Sequence, residues 1–323
     1  CQNIVMSRSS NTLIAGVDYP KTWSQFVDWF HDDQSCRQYL QKLRWPNGFV
    51  CPRCSNKDSP YLISRGRIMC HSCRCQCTVT SGTTFEKTRT PLISWFAAAW
   101  YITNQKNGVS ALGLQKLLGL GSYQTAWTML HKLRKAMVNP EREKLEGIVE
   151  VDETYIGGRD SGKIRAPNPD SKKAIVIVAV EILEPKGFGR VRLRRIDNAS
   201  KHCVELFITE TIAPGSVIRT DGSPSYGSIY EKGYTRDKVV LLGAVEPAHT
   251  SLPGVHRVAS LLKRWLLGTH QGSVKSEQLD AYLDEYSFRF NRRKSKSRGL
   301  LFYRLLELAV ATKSVTYDDI ANG

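Results

Sequence analysis

The chain is short of acid. Its 323 residues hold 30 Asp plus Glu against 46 Lys plus Arg, a formal net charge of +16. That imbalance favours a polyanionic partner, nucleic acid or an anionic membrane surface, over an acidic one, although an ordinary basic protein has the same arithmetic. No apolar run approaches the roughly 20 residues of a membrane span, so the membrane alternative has only surface attachment left to it. No signal-peptide pattern opens the sequence, which starts at Cys1 and not at Met. No internal repeat is visible. Cysteine is present but not spread out: of nine, six lie within residues 51–77. An odd, clustered set argues against a disulfide framework and for metal binding in a reducing cytoplasm.

Within that cluster Cys51-Pro-Arg-Cys54 and Cys70-His-Ser-Cys73 form two C-x-x-C pairs at zinc-ribbon separation. Two tight turns of this kind bring four thiolates to a tetrahedral zinc site, structural in type because no coordination position stays open. Cys75 and Cys77 follow closely and leave the second pair ambiguous; short strands are expected around Phe49 and Tyr61–Ile63. Upstream, residues 22–44 place Phe26, Trp29, Phe30, Tyr39 and Leu40 at mostly helical spacing. Downstream, a helix is expected from about Pro91 and a helical pair over about 109–138.

That pair is a helix-turn-helix candidate. Gly119 and Gly121 punctuate the turn, Ser122 suits the N-cap, and Ala126, Leu130 and Leu133 make a buried face. Tyr123, Gln124, Thr125, Lys132 and Lys135 are then left for DNA, whose major groove receives the start of a recognition helix. A two-helix corner of an ordinary core fits the same pattern.

From residue 147 the pattern changes to Val- and Ile-rich segments, "GIVEVDETYI", "KKAIVIVAVEIL" and "GRVRLRRI", read as three strands. A helix at about 199–211, a fourth strand in "GSVIRTD", and helices at 256–268 and 275–291 follow. The order indicates a mixed sheet with packed helices. In the first strand Glu150 and Asp152 share one face, and Val149, Val151 and Glu153 alternate to the other. Asp221 ends the fourth strand. If the two strands are neighbours, Asp152 and Asp221 meet and can bind magnesium or manganese, which take oxygen ligands. A turn or cap is the plainer role for Asp221 taken alone. His249 and His256 are lone histidines, Trp95, Trp100 and Trp127 suit a core, and the basic run Arg289–Arg298 suits either a DNA backbone or a solvated face.

"VEVDETYIGG", "TDGSPSYGS", "VHRVASLLKRWLLGTHQG" and "YLDEYSFRFNRR" together resemble the DDE-type transposases of bacterial insertion sequences with an N-terminal zinc ribbon, the ISXO2-like group. The likeness spans about residues 25–310. It implies an α+β multidomain chain: an N-terminal helical segment (1–46), a zinc ribbon (47–82), a helix-turn-helix-like DNA-binding region (90–140) and a ribonuclease H-like mixed sheet with flanking helices (146–312). It implies Asp152 and Asp221 as the first two metal ligands, Lys263 at a phosphate, and Arg264 at the DNA. The implied activity is metal-dependent cutting of element ends and joining to target DNA. The implied partners are double-stranded DNA, as terminal repeats and target, and further copies of the chain, in the cytoplasm at the nucleoid. The third ligand position falls on Leu261 in Ser260-Leu261-Leu262-Lys263, where leucine cannot coordinate; His256, Ser260 or Glu153 could substitute. Leu261 therefore raises a rival, a degenerate transposase that only binds DNA. A zinc-ribbon transcription factor with an unrelated α/β domain gives no reason for acids on two strands.

Overall fold

The computed structural model describes residues 13–139, 142–157, 173–239, 252–271 and 274–322. In chain order the elements are α1 (Trp23–Trp29), α2 (Asp33–Arg44), β1 (Tyr61–Ile63), β2 (Arg67–Met69), β3 (Gln76–Cys77), α3 (Leu92–Asn104), α4 (Ala111–Leu118), α5 (Tyr123–Ala136), β4 (Ile148–Ile156), β5 (Ala174–Ile182), β6 (Phe188–Ile196), α6 (Lys201–Thr211), β7 (Val217–Thr220), β8 (Thr235–Lys238), α7 (Pro253–His270), α8 (Leu279–Asn291), α9 (Arg298–Ala311) and α10 (Tyr317–Ala321). They fall into two compact units, residues 1–106 with 295–314, and residues 107–294 with 315–323. The expected 90–140 and 146–312 segments thus divide differently: α3 and α9 sit in the first unit, α4 and α5 in the second.

In the first unit the single helical pattern at 22–44 is two helices. Asp32 breaks it by accepting a hydrogen bond from the Ser35 amide at 2.7 Å, an N-cap that satisfies one of the free donors of α2. The core is aromatic: Phe26, Phe30, Phe96, Trp100 and Phe302 pack edge-on or tilted at 4.8–5.8 Å between ring centroids. Trp95 and Trp100 are buried, as expected. The ribbon is the antiparallel sheet β1-β2-β3. No strand forms at Phe49, whose buried ring packs instead on Trp45 at 5.0 Å.

The second unit is built on a five-stranded sheet of order β6-β5-β4-β7-β8. β4, β5 and β6 are antiparallel neighbours, and β4, β7 and β8 run parallel. This is the ribonuclease H-like arrangement. β5 reads as a continuous apolar run because both its faces are covered. Ile177 and Ala179 join Val149, Val151, Phe207 and Ile208 on the α6 side. Val176, Val178 and Val180 join Val258, Leu262 and Leu283 on the α7 and α8 side. β8, with the sequence TRDK, lies at the sheet edge and lacks the apolar pattern that marks the other strands.

Candidate functional site

The two C-x-x-C turns of the first unit repeat one geometry. Ser55 donates its amide hydrogen to the Cys51 carbonyl at 2.9 Å, and Arg74 donates to the Cys70 carbonyl at 3.2 Å. Ser55 and Arg74, each just after the second cysteine of its pair, take positive φ of 59° and 56°. The turns face one another, so that the Sγ atoms of Cys51, Cys54, Cys70 and Cys73 all lie within 4.8 Å. Cys51 to Cys73 and Cys54 to Cys70 are each 3.6 Å. Thiolates about 2.3 Å from a tetrahedral zinc stand at about this separation, so the donor set fits structural zinc. Among the described residues this is the one group of three or more His, Cys, Asp or Glu side chains so closely gathered. Cys77 is buried in the apolar cluster beneath, and Cys75 is half-buried beside it.

In the second unit β4 and β7 are neighbours. Their parallel register runs from Ile148 opposite Val217 to Glu150 opposite Arg219. Carried two residues further it puts Asp152 opposite Asp221, on one face of the sheet. The two acids feel one another: burial, and then Asp221, push the Asp152 carboxyl above its ordinary range, against the Glu153 amide that donates to Asp152 Oδ1 at 2.8 Å. Asp221 Oδ1 accepts from the Ser223 amide at 2.9 Å, which turns the chain into the 3-10 segment Pro224–Tyr226. Among the described residues neither Asp pairs with a Lys or Arg within 4.0 Å. Two unneutralised, half-buried carboxylates suit a divalent cation.

The other acids of the β4 run are held differently. Glu150 is fully buried, and its Oε2 accepts from the Gly254 and Val255 amides at 2.7 and 3.0 Å. Burial raises its carboxyl above the ordinary range, opposed by those two donors and by the charges of Arg219 and His256. Glu153 faces the opposite side, where its Oε1 accepts from the Tyr226 hydroxyl at 2.7 Å.

His256 lies in the first turn of α7, whose Gly254 and Val255 amides contact Glu150. Seven residues on, two helical turns, Lys263 shares its face and is exposed, with Ser260 between them. Leu261 lies on another side and packs into the apolar cluster with Trp265 and Leu262. Leu261, the expected third position, is half-buried against the apolar cluster; the turn of α7 that carries His256 meets Glu150 on the Asp152 face of β4. The signal was in the sequence, as the seven-residue spacing of His256 and Lys263. The helix begins at Pro253, three residues before the expected 256. His249 lies outside the described residues.

The α4–α5 turn has the expected form. Gly119 caps α4 at φ 61°, and the Ser122 side chain accepts from the Thr125 amide at 3.1 Å. Ala126, Leu130 and Leu133 are fully buried. Tyr123, Gln124 and Lys135 are exposed, and Thr125 and Lys132 half-buried; the Thr125 hydroxyl meets Ser122 Oγ at 2.9 Å. Arg264 is exposed on α7. Much of the basic run is occupied: Arg289 pairs with Glu285 at 3.0 Å, and Arg293 donates to the carbonyls of Phe188, Gly189 and Phe290.

Residues 144–291 match the ISXO2-like transposase domain, and residues 31–76 match the transposase zinc-ribbon domain. An uncharacterized protein in transposable element ISH50 of Halobacterium salinarum (strain ATCC 700922 / JCM 11081 / NRC-1) is 25% identical over 281 residues, 80% of this chain and 91% of that protein. The catalytic core domain of BIV integrase aligns at a TM-score of 0.29 and 18% identity, over 47% of this chain and 86% of that one. A pre-cleavage Mos1 transpososome aligns at a TM-score of 0.28 and 13% identity, over 70% and 78%.

Proposed function

We propose that this chain, a transposase with an ISXO2-like catalytic domain behind a zinc ribbon, cuts and joins DNA ends at a centre formed by Asp152, Asp221 and His256. The observation that supports the reading is the β4–β7 register, which pairs Glu150 with Arg219 and, carried two residues further, brings Asp152 level with Asp221; among the described residues neither acid has a basic side chain within 4.0 Å. Two carboxylates and an imidazole suit magnesium or manganese, with manganese the more tolerant of nitrogen. When bound, the ion supplies Lewis-acid stabilisation at the phosphodiester and an activated nucleophile at neutral pH.

The chain's own residues supply placement and charge. Asp152 and Asp221 hold the scissile phosphate's counter-charge from one sheet face. Lys263, two turns along α7 from His256, reaches a non-bridging phosphate oxygen near the cut. The reaction is two in-line displacements, hydrolysis at the element end and then attack of the released 3′-hydroxyl on target DNA. No side chain becomes covalently attached. Tyr123, Gln124, Thr125, Lys132, Lys135 and Arg264 contact the terminal repeats or target. The zinc ribbon (47–82) and the α4–α5 pair within 90–140 serve recognition, and the part of 146–312 built on the five-stranded sheet serves cutting. Two copies of the chain bring paired ends together at the nucleoid.

A nicking assay on cognate element ends with Mg²⁺ tests this. The wild type is expected to cut and Asp152→Asn to bind without cutting. Cutting by Asp152→Asn at the wild-type rate sinks the centre. Binding with no cutting by the wild type favours the degenerate rival. The rival is disfavoured to the extent that His256 supplies the third donor in place of Leu261.

A further inference from the structure

The strand that carries Asp152 carries two more acids, each tied to a different segment. Glu150 Oε2 accepts from the amides of Gly254 and Val255, two first-turn donors of α7 that no side-chain N-cap satisfies. A carboxylate 104 residues away in sequence thus caps this helix. Gly254 is shaped to the contact: a Cβ there would lie 2.8 Å from Glu150 Oε2 and 2.9 Å from Ile182 Cδ1. On the other face, Glu153 Oε1 accepts from the hydroxyl of Tyr226, a buried residue that ends the turn begun at Asp221. The β4–β7 ladder stops at Glu150 and Arg219, so the Glu153–Tyr226 bond is a separate tie between β4 and the segment that follows Asp221.

We propose that Glu150 and Glu153 are positioning residues of the cutting centre. Glu150 sets the first turn of α7, and with it His256. Glu153, through Tyr226, sets the turn after Asp221. This rests on the reading of Asp152, Asp221 and His256 as the cation's donors. Strand alternation lets one run do both, since Glu150 shares the Asp152 face and Glu153 points away from it. β4 is flanked by β5 and β7, which makes it the fixed reference for both ties.

The test is Mn²⁺ titration calorimetry on the zinc-loaded full chain, with circular dichroism to report folding. The wild type is expected to bind at a site lost in Asp152→Asn. Glu150→Ala and Tyr226→Phe are expected to weaken that site roughly 10–100-fold, the usual cost of removing a group that orients a donor. Glu150→Gln and Glu153→Gln keep an acceptor oxygen without the charge, and are expected to stay close to wild type. Tyr226→Phe removes no charge, so its loss reports geometry even if Glu150→Ala fails to fold. Leu262→Ala opens a cavity beneath α7 away from its first turn and is the packing control. Equal losses in Leu262→Ala and Glu150→Ala, or in the Gln variants and their Ala and Phe counterparts, overturn the proposal. Ala and Phe variants that bind like wild type overturn it alone. A wild type with no Asp152-dependent Mn²⁺ site overturns the centre as well.

Discussion

Glu153 is a carboxyl in the field of two others. Burial first, and then Asp152 and Asp221, push it up from 4.5 to about 7, against the pull of the Tyr226 hydroxyl. The folded chain therefore keeps this proton where the unfolded chain releases it, between pH 4.5 and about 7. The contribution to stability is present below that window and is lost as pH rises through it. Glu153→Gln should remove that slope and, without divalent metal, stabilise the protein at pH 8 relative to wild type by on the order of 1–2 kcal/mol. Urea unfolding of both proteins at pH 5 and pH 8 measures it; parallel pH dependence in the two would show that Glu153 is not the titrating group. At this scale the sequence was readable where chemistry is local. Paired C-x-x-C motifs announce their thiolate site, and strand alternation puts Asp152 and Glu150 on one face. It was silent where a partner comes from afar, as for Glu150 on the Gly254 amide or Glu153 on Tyr226, because those meetings belong to the assembled sheet.

At the scale of elements, α5 and α8 are joined by a buried ion pair. Arg134 Nε lies 2.8 Å from Glu285 Oε2, with side-chain exposures of 1% and 0%. The Arg134 guanidinium also sits 4.2 Å over the Tyr282 ring. Glu285→Ala leaves that guanidinium buried and unpaired, and should cost about 3–5 kcal/mol in urea unfolding; a loss under about 1 kcal/mol would mean water replaces the carboxylate. On the proposed reading the start of α5 meets DNA. Gln124→Ala is expected to relax base preference at one position by about 1–3 kcal/mol, and Lys135→Ala to weaken all sequences alike and lower the salt slope by about one. Binding titrations over a salt series with cognate and scrambled ends read both. Strong periodicity made β4, β5, β6, α5 and α6 legible in advance. β8 was not, because TRDK carries neither alternation nor a β-branched run, and it becomes a strand by pairing with β7. α7 was legible as a helix but not in its first turn, which is defined by Pro253 and a carboxylate from β4.

For the whole molecule, the charge of +16 and the zinc site are, on the proposed reading, conditions for DNA binding. Among the described residues no helix is long and apolar enough to cross a membrane. Removing zinc, by chelation or by Cys70→Ser, should unfold the ribbon and lower affinity for element ends, while α-helical signal from the other unit persists. Zinc analysis with circular dichroism and end-binding measures this; unchanged binding by the zinc-free chain would exclude the ribbon from recognition. The division into two units was less legible than their contents. α9 falls inside the segment 146–312 assigned from the sequence to the catalytic domain, yet Phe302 belongs to the aromatic core of the first unit. Nothing in its own pattern distinguishes one apolar core from another.

The proposed centre requires Asp152, Asp221 and His256 to hold one divalent ion together. Electron spin-echo modulation of Mn²⁺ bound to protein labelled with ¹⁵N-histidine reads it directly. Coupling to a single imidazole nitrogen is expected, absent in His256→Ala and unchanged in Leu261→Ala, with no bound Mn²⁺ at all in Asp152→Asn. Bound Mn²⁺ without nitrogen coupling, or coupling that survives in His256→Ala, would contradict that centre.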